Sequence, residues 1–365
     1  MRALHIYAGT AARAQLAREG LQASSVRVVP AAAGGPKGLI LGPLDRFIFG
    51  AWLAQSTQPV DLVGASIGAW RMATACLNDP VPALARLERD YIAQHYELAP
   101  GQKRVPASLV SQQFRDNLAL FYGGRMQELL THPRYRLHIL ASRGRGLLQR
   151  EHPFWTPLGY AFAIASNALD RRLLGLSLER VVFSSQTGAL PFAVHDFRTR
   201  EVPLVQANFM QALQASCSIP FLLQAVHDIV GAPPGAYWDG GITDYHLHLN
   251  YSGAASAGYR AAGQGLVLYP HFQKAVVPGW LDKPWKWRHR STAFLDAMVV
   301  LAPNPEWVRT LPNGKLPDRN DFSHYGNDLA GRVQAWNGAT SAAGQLADEF
   351  AQWLERPAMA QVLPL

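Results

Sequence analysis

The stretch VDLVGASIGAWRMATA, residues 60–75, constrains the fold of this chain more than any other. Its apolar start, Val60 to Val63, predicts a short strand, and Ile67 to Leu77 predicts a helix. The G-x-S-x-G sequence between them, Gly64 to Gly68, is typical of a sharp strand-to-helix turn where bulky neighbours would clash. Such a turn exposes Ser66 at a helix N-terminus, where free N–H groups favour developing negative charge. The alternative is an ordinary glycine-rich turn.

A second glycine-rich loop, GGPKG at residues 34–38, follows the predicted strand Val26 to Ala32. Acyl transfer needs N–H donors aimed at an oxyanion, and glycine lets the backbone approach a reacting carbon closely. Pro36 has no N–H, so the donors must come from its neighbours and from the residue after the serine. The candidate oxyanion donors are Gly34, Gly35, Lys37 and Ile67. The loop could instead cradle a phosphate, although it lacks the G-x-x-x-x-G-K-[ST] and G-x-G-x-x-G patterns. From Gly38 an apolar helix is predicted to run to Trp52.

The third motif is Asp239-Gly240-Gly241, directly after the short run GAYW. Alone, D-G-G is a common turn sequence. It becomes informative only beside the serine motif and the glycine loop.

These three motifs, in this order, resemble those of the patatin-like phospholipase family, which pairs a G-G-G-x-[KR]-G loop, a G-x-S-x-G elbow and a D-G-[GA] aspartate. The resemblance covers about residues 26–245 and includes QASCSIPFLLQAV, residues 214–226. It implies that Ser66 is the nucleophile, that Asp239 is the base, and that Gly34, Gly35 and Lys37 belong to the oxyanion loop. It also implies hydrolysis of acyl lipids without a cofactor or metal. Ala33 stands where the family usually has its first glycine, and alanine would be strained there if the position needs positive φ.

A serine hydroxyl needs a positioned base, and histidine is the usual one because its pKa lies near neutrality. Aspartate is a weaker base, but it is ionised at neutral pH and could accept a hydrogen bond from Ser66 directly. The resemblance implies this Ser-Asp dyad. The alternative is a triad with a later histidine, for which His271 and His289 are the candidates; His246 and His248 follow Asp239 too closely.

Short strands alternate with helical patterns to about residue 275, which predicts an α/β fold with a mostly parallel central sheet flanked by helices. The resemblance makes this a three-layer patatin-like fold. The further predicted strands are Leu137 to Ala141, Val181 to Ser184 and Gly265 to Tyr269. We expect a catalytic domain over 1–275 and a C-terminal extension over 276–365 packed on it.

Helical insertions are expected around 82–130, with a turn at Pro100 and Gly101, and around 152–176, where clustered aromatic side chains either cover the site or pack on the sheet. Residues 278–317 are expected to form an irregular connection. Residues 329–354 are expected to form one or two helices interrupted near Gly338.

Composition narrows the choice of partners. The formal charge of +8 comes from scattered basic residues, and no nucleic-acid-binding pattern accompanies it. Two cysteines, Cys76 and Cys217, cannot build a disulfide framework or a four-ligand metal site, and are expected to be small core residues. We see neither a signal peptide nor an apolar stretch of about 18 residues, so we expect a cytoplasmic or peripherally attached protein.

The segment WLDKPWKWRHR, residues 280–290, is the candidate contact with an anionic membrane. Its tryptophans favour the headgroup region and its basic side chains attract anionic lipid. Alternatively, the tryptophans pack inward and the charges are solvated. The members are Trp280, Lys283, Trp285, Lys286, Trp287, Arg288 and Arg290.

The predicted function is therefore hydrolysis of phospholipid or lysophospholipid esters through an acyl-serine intermediate. A carboxylesterase of soluble esters and an acyltransferase are the enzymatic alternatives. A lipid-binding protein that has the fold without turnover is the non-enzymatic one. The sequence gives no indication of the oligomeric state.

Overall fold

A single mixed β-sheet organises the part of the chain that the computed structural model describes, residues 1–96, 105–186, 188–194, 196–252 and 265–365. Its strands there are β1 Leu4–Ala8, β2 Val26–Ala31, β3 Val60–Ala65, β4 Tyr135–Gly144, β5 Leu178–Ser184, β6 Thr199–Pro203, β7 Val226–His227, β8 Ala236–Asp239, β9 Leu266–Pro270, β10 Met298–Pro303 and β11 Val362–Pro364. Their order is β11-β1-β10-β9-β2-β3-β4-β5-β6, with β8 paired to β4 and β7 paired to β8.

The centre of the sheet is parallel. Each neighbouring pair from β10 through β9, β2 and β3 to β4 is parallel, whereas β1 and β5 join this block antiparallel. Every residue of β3, β9 and β10 is buried, as expected for strands covered on both faces. The predicted α/β class with a mostly parallel sheet flanked by helices is thus confirmed.

The helices that flank the sheet have the following bounds. They are α1 Thr10–Glu19, α2 Gly42–Phe47, α3 Ile67–Ala75, α4 Pro80–Ala93, α5 Ala107–Tyr122, α6 Met126–Leu130, α7 Trp155–Leu169, α8 Gln206–Cys217, α9 Gly241–Asp244, α10 Pro305–Val308, α11 Asn320–Tyr325, α12 Leu329–Ala342 and α13 Gly344–Glu355. In the described part of the chain, none of these helices is long and apolar enough to cross a bilayer.

The pairing register explains how two distant segments of sequence meet. One edge of β4 is occupied by β5. Along the other edge, β3 ends with Ala65 opposite Leu140, and β8 ends antiparallel with Asp239 opposite Ala141. Strands β3 and β8 therefore run toward each other along the same edge of β4 and meet end to end, which places Ser66 next to Asp239.

The expectation of an irregular connection over 278–317 is wrong. This segment contains α10 and β10, and β10 lies within the sheet between β1 and β9. Its six residues, MVVLAP, are too few for periodicity to identify a buried strand, and the surrounding proline, tryptophan and arginine residues favour a loop. Through β10 and β11, the segment 276–365 supplies two strands of the same sheet.

Two helix predictions need correction. The expected helix from Gly38 to Trp52 is helical but irregular, because a 3-10 helix over Gly35–Leu41 and a π-helical turn over Ile48–Trp52 flank α2. The expected break near Gly338 is wrong, because α12 runs through it and ends at Ala342. A Cβ at position 338 would lie 3.0 Å from a side-chain carbon of Pro312, so glycine there reflects close packing.

The expected insertions are largely helical. Helices α4, α5 and α6 occupy the described parts of 82–130, and the turn expected at Pro100 and Gly101 lies outside the described residues. The segment 152–176 forms α7 and a 3-10 helix over Arg171–Leu176.

Candidate active site

Ser66 occupies a strained turn between β3 and α3. Its backbone angles are φ 55° and ψ −130°, a conformation that side chains other than glycine rarely adopt and that costs on the order of 1–3 kcal/mol. Glycines make the turn sterically possible, because a Cβ at Gly64 would lie 2.4 Å from the Ala69 Cα, and one at Gly68 would lie 1.9 Å from the Ala31 carbonyl oxygen. The G-x-S-x-G spacing thus reflects two close backbone approaches around the serine.

The side chain of Ser66 is paired with that of Asp239. Ser66 Oγ donates to Asp239 Oδ2 over 2.7 Å, and the Gly241 N–H donates to Asp239 Oδ1 over 2.7 Å. Both paired side chains are buried. Burial raises the pKa of Asp239 above its usual range; the hydrogen bond from Ser66, the charge of Arg319, the Gly241 N–H and Lys283 oppose this rise. A carboxylate with a raised pKa is a stronger proton acceptor than an exposed one.

The hydroxyl of Ser216 hydrogen-bonds both to the serine turn and to β4. The Ser66 N–H donates to Ser216 Oγ over 2.9 Å, and Ser216 Oγ donates to the Leu140 carbonyl oxygen over 2.6 Å. Helix α8 thereby connects the strained turn to β4. The sequence drew attention to residues 214–226 through the family resemblance, but it contained no signal that selected this serine.

The proposed oxyanion donors divide into two groups. Gly35 and Ile67 each begin a helical segment, so their N–H groups have no acceptor within their own helix, and both line the same cavity as Ser66. Gly34 and Lys37 do not line the described part of this cavity. Gly35 has φ +56°, a value that favours glycine. Ala33 does not have a positive φ. The backbone strain that the sequence suggested for an alanine at this position is therefore absent.

A buried ion pair fixes the glycine loop against the serine turn. Arg71 of α3 donates from Nε and from one terminal nitrogen to the two carboxylate oxygens of Asp45 in α2, over 2.6 and 2.8 Å. Both side chains are almost inaccessible to solvent. Since α2 follows the glycine loop and α3 follows Ser66, the pair sets the distance between the two motifs.

A cavity of about 690 Å³ opens beside the serine. Ser66, Gly35 and Ile67 line it together with a largely apolar wall. Prominent wall residues are Trp70, Phe114, Ile219, Phe221, Leu222 and Phe322. Cys217 also lines it and is half-buried, whereas Cys76 is buried in the core; both cysteines are free. The size and character of the cavity are typical of sites for small apolar ligands, which occupy about 300–1,000 Å³.

Two cations, Arg319 and Lys283, lie near enough to Asp239 for their charges to lower its pKa, and Lys37 lies over the ring of Phe272. Among the described residues, no carboxylate oxygen lies within 4.0 Å of the charged nitrogens of Lys37, Lys283 or Arg319. Arg319 lines the cavity, and Lys283 lies 4.0 Å from the ring centre of Tyr245. Burial lowers the pKa of Lys283 to about 8, and it also lowers the pKa of Lys37. Arg319 and Lys283 come from the segment 276–365; the sequence placed Lys283 in the candidate membrane contact and did not single out Arg319.

The four histidines considered from the sequence do not form a triad with Ser66 and Asp239 in the described part of the chain. His246, His248 and His271 hydrogen-bond through Nδ1 to backbone carbonyl groups, and His289 does so through Nε2. Burial lowers the pKa of His271 to about 3 and that of His248 to about 4. Within the described part of the chain, none of the four rings hydrogen-bonds to the candidate nucleophile or its aspartate partner.

Among the described residues, no group of three or more histidine, cysteine, aspartate or glutamate side chains is arranged to hold a metal ion. In comparisons with known proteins, the sequence matches no protein-family model and no curated protein.

Proposed function

We propose that this protein is a serine acyl hydrolase that cleaves ester bonds of acyl lipids through a Ser66–Asp239 dyad. The observation that carries the proposal is the 2.7 Å hydrogen bond from Ser66 Oγ to Asp239 Oδ2, made by a serine in a strained strand-to-helix turn. Strain of this kind persists where the surroundings hold a residue for its chemistry. The resemblance of the three motifs to patatin-like phospholipases supports the same activity.

The first half-reaction forms an acyl-serine. Ser66 Oγ attacks the ester carbonyl carbon while its proton passes to Asp239 Oδ2. The carbonyl oxygen becomes an oxyanion, for which the N–H groups of Gly35 and Ile67, which line the cavity with Ser66, are the candidate donors. When the tetrahedral intermediate collapses, the bond to the leaving alcohol breaks, and that alcohol takes the proton from Asp239.

The second half-reaction returns the enzyme to its starting state. Water attacks the acyl carbon and gives a proton to Asp239. The intermediate collapses, the bond to Ser66 Oγ breaks, and Oγ recovers the proton while the carboxylic acid leaves. The sum is one ester and one water converted to one acid and one alcohol, with no cofactor needed.

The surroundings of the dyad favour an acyl lipid over a small polar ester. The apolar wall of the cavity suits an acyl chain, and its volume exceeds what a short-chain ester needs. Arg319 lines the cavity without an ion-pair partner among the described residues, and its charge suits an anionic group on the same substrate, such as the phosphate of a phospholipid or lysophospholipid.

The dyad is tested by comparing Asp239→Asn with single alanine substitutions of the four histidines His246, His248, His271 and His289. Loss of the base should lower kcat by about 10²- to 10⁴-fold, with folding checked by circular dichroism. Each histidine variant should retain far more activity. A histidine variant as impaired as Asp239→Asn would replace the dyad by a triad.

The substrate class is tested with p-nitrophenyl esters of increasing chain length and with phospholipid and lysophospholipid. We expect kcat/KM to rise with chain length. A maximum at the shortest chains would favour a carboxylesterase, and transfer to an added alcohol in preference to water would favour an acyltransferase. Binding of lipid without turnover of any ester would favour a lipid-binding protein.

A further inference from the structure

The distribution of polar and apolar side chains around helix α7 is the reverse of that in an ordinary surface helix. Residues 153–169 contain no charged side chain and no histidine. The side of α7 that faces the protein is formed largely by small or polar residues: Thr156, Gly159, Tyr160, Ala163, Ser166 and Asn167. A helix on a soluble surface normally places its apolar stripe toward the core and its charges toward water.

The side of α7 that faces outward is apolar. Its large exposed residues, with the phenylalanine that precedes the helix, are Phe154, Trp155, Leu158, Phe162, Ile164 and Leu169. Phe154 is 63% exposed, Phe162 is 50% exposed and Leu169 is 82% exposed. Scattered apolar side chains on a surface need no explanation, but a contiguous cluster of this size marks an interaction site. We call these six residues the α7 face.

The buried side of α7 contacts a residue that lines the cavity. Tyr160 of α7 packs edge-on against Phe221, with ring centres 5.8 Å apart. Phe221 and its neighbour Leu222 line the cavity that contains Ser66, and both are about half exposed. Helix α7 therefore packs directly against an exposed apolar residue of the cavity that contains Ser66.

Basic residues lie at the C-terminal end of the same helix. Arg288 donates to the Asn167 carbonyl oxygen over 2.8 Å, which attaches the segment 280–290 to the end of α7. Within that segment Lys286, Trp287 and Arg290 are exposed. The other charges are engaged elsewhere: Arg288 pairs with buried Asp282, and Lys283 lies over the Tyr245 ring beside the dyad.

We propose that the α7 face, bordered by Lys286, Trp287 and Arg290, docks the protein onto an anionic lipid bilayer. Aromatic and aliphatic side chains would enter the interfacial region, while the two cations would attract anionic headgroups. A second copy of the chain fits less well, because each copy carries a formal charge of +8 and the same basic border. At about 22 Å, fifteen helical residues are too short to span a ~30 Å hydrocarbon core, so α7 would lie in the plane of the interface.

Because α7 packs against Phe221, docking through α7 would bring the cavity that contains Ser66 close to the lipid surface. That consequence rests on the proposed function, whereas the docking itself does not. The binding test therefore uses protein with Ser66→Ala, which does not consume lipid and gives a result whether or not the native chain is a hydrolase.

The test measures flotation with vesicles of phosphatidylcholine and phosphatidylglycerol. The variant Phe154→Ser/Leu158→Ser/Phe162→Ser removes one stripe of the α7 face and should weaken binding by at least about 100-fold. The matched control Leu120→Ser/Leu363→Ser removes exposed apolar side chains elsewhere and should bind like the parent. The triple variant and the control should both keep the circular dichroism spectrum of the parent. When the same substitutions are made in protein that retains Ser66, both should hydrolyse a soluble short-chain ester at the parent rate.

The charged border is tested with Lys286→Gln/Arg290→Gln, which should weaken binding by about 30-fold at low salt and have little effect on vesicles of phosphatidylcholine alone. Parent-like binding by the triple serine variant, or no binding by the parent, overturns the proposal. So does a parent dimer that the triple variant converts to a monomer in analytical ultracentrifugation without any vesicle binding. That result would assign the α7 face to self-association.

Discussion

Replacing Asp45 by alanine should destabilise the protein by about 3–5 kcal/mol. The substitution removes both hydrogen bonds that Arg71 makes to this carboxylate, over 2.6 and 2.8 Å. It leaves a guanidinium in a site where its side chain is only 4% exposed. Breaking one side of a buried pair is costly because the remaining charge stays desolvated without compensation.

Thermal unfolding followed by circular dichroism measures the effect. With about 2.1 cal/mol/K of unfolding entropy per residue, the chain has roughly 0.8 kcal/mol/K in total, so the predicted loss lowers Tm by about 4–7 °C. The control is Glu306→Ala, which breaks an exposed pair with Arg309 and should change stability by about 0–1 kcal/mol. A loss below 1 kcal/mol for Asp45→Ala would refute this account of the pair.

A double substitution separates the lost attraction from the orphaned charge. In Asp45→Val/Arg71→Met both charges are replaced by apolar side chains of similar total size. Such replacements are often neutral or stabilising, so the double variant should be more stable than Asp45→Ala alone. If it is less stable, the orphaned charge is not the main cause of the loss.

Two further predictions concern the serine turn and its base. Ser216→Ala should cost about 1–3 kcal/mol and slow acylation of Ser66, because it leaves two buried backbone groups without partners; Ser218→Ala, which removes a hydroxyl that does not contact Ser66, should leave the acylation rate unchanged. Asp239 must be ionised to act as a base. Because burial raises its pKa, the fall of kcat/KM with decreasing pH should begin at a higher pH than an ordinary aspartate would give. The charge of Arg319 lowers that pKa, so Arg319→Gln should move the acid limb to higher pH, and an unmoved or lowered limb would contradict the assignment.

The parallel core of the fold was predictable because two of its strands are mostly apolar runs followed by glycine-containing turns. The predicted strands at residues 26–32 and 60–63 correspond to β2 and β3, which lie side by side at the centre of the sheet. Strands β1 and β10 escaped prediction because runs of five or six residues are too short to show a distinctive periodicity. Their identity as strands depends on pairing with each other across most of the chain length.

The candidate site was predictable only where local backbone geometry dictates sequence. The glycines at 64 and 68 are needed for close approach, so they mark Ser66 without any tertiary information. Ser216, Lys283 and Arg319 act through tertiary placement, and a serine, lysine or arginine is common enough that its position in sequence carries no signal. The raised pKa of Asp239 likewise follows from burial, which the sequence does not specify.

The most direct measurement is mass spectrometry of the protein after reaction with a fluorophosphonate. This reagent phosphonylates activated serines with loss of fluoride, at the same hydroxyl oxygen that the proposed substrate would acylate. The proposed function predicts one adduct on the peptide that contains Ser66, none in Ser66→Ala, and a labelling rate lowered about 10²- to 10⁴-fold in Asp239→Asn. An unlabelled native protein, an adduct on another residue, or equal labelling of Asp239→Asn would contradict a Ser66–Asp239 dyad.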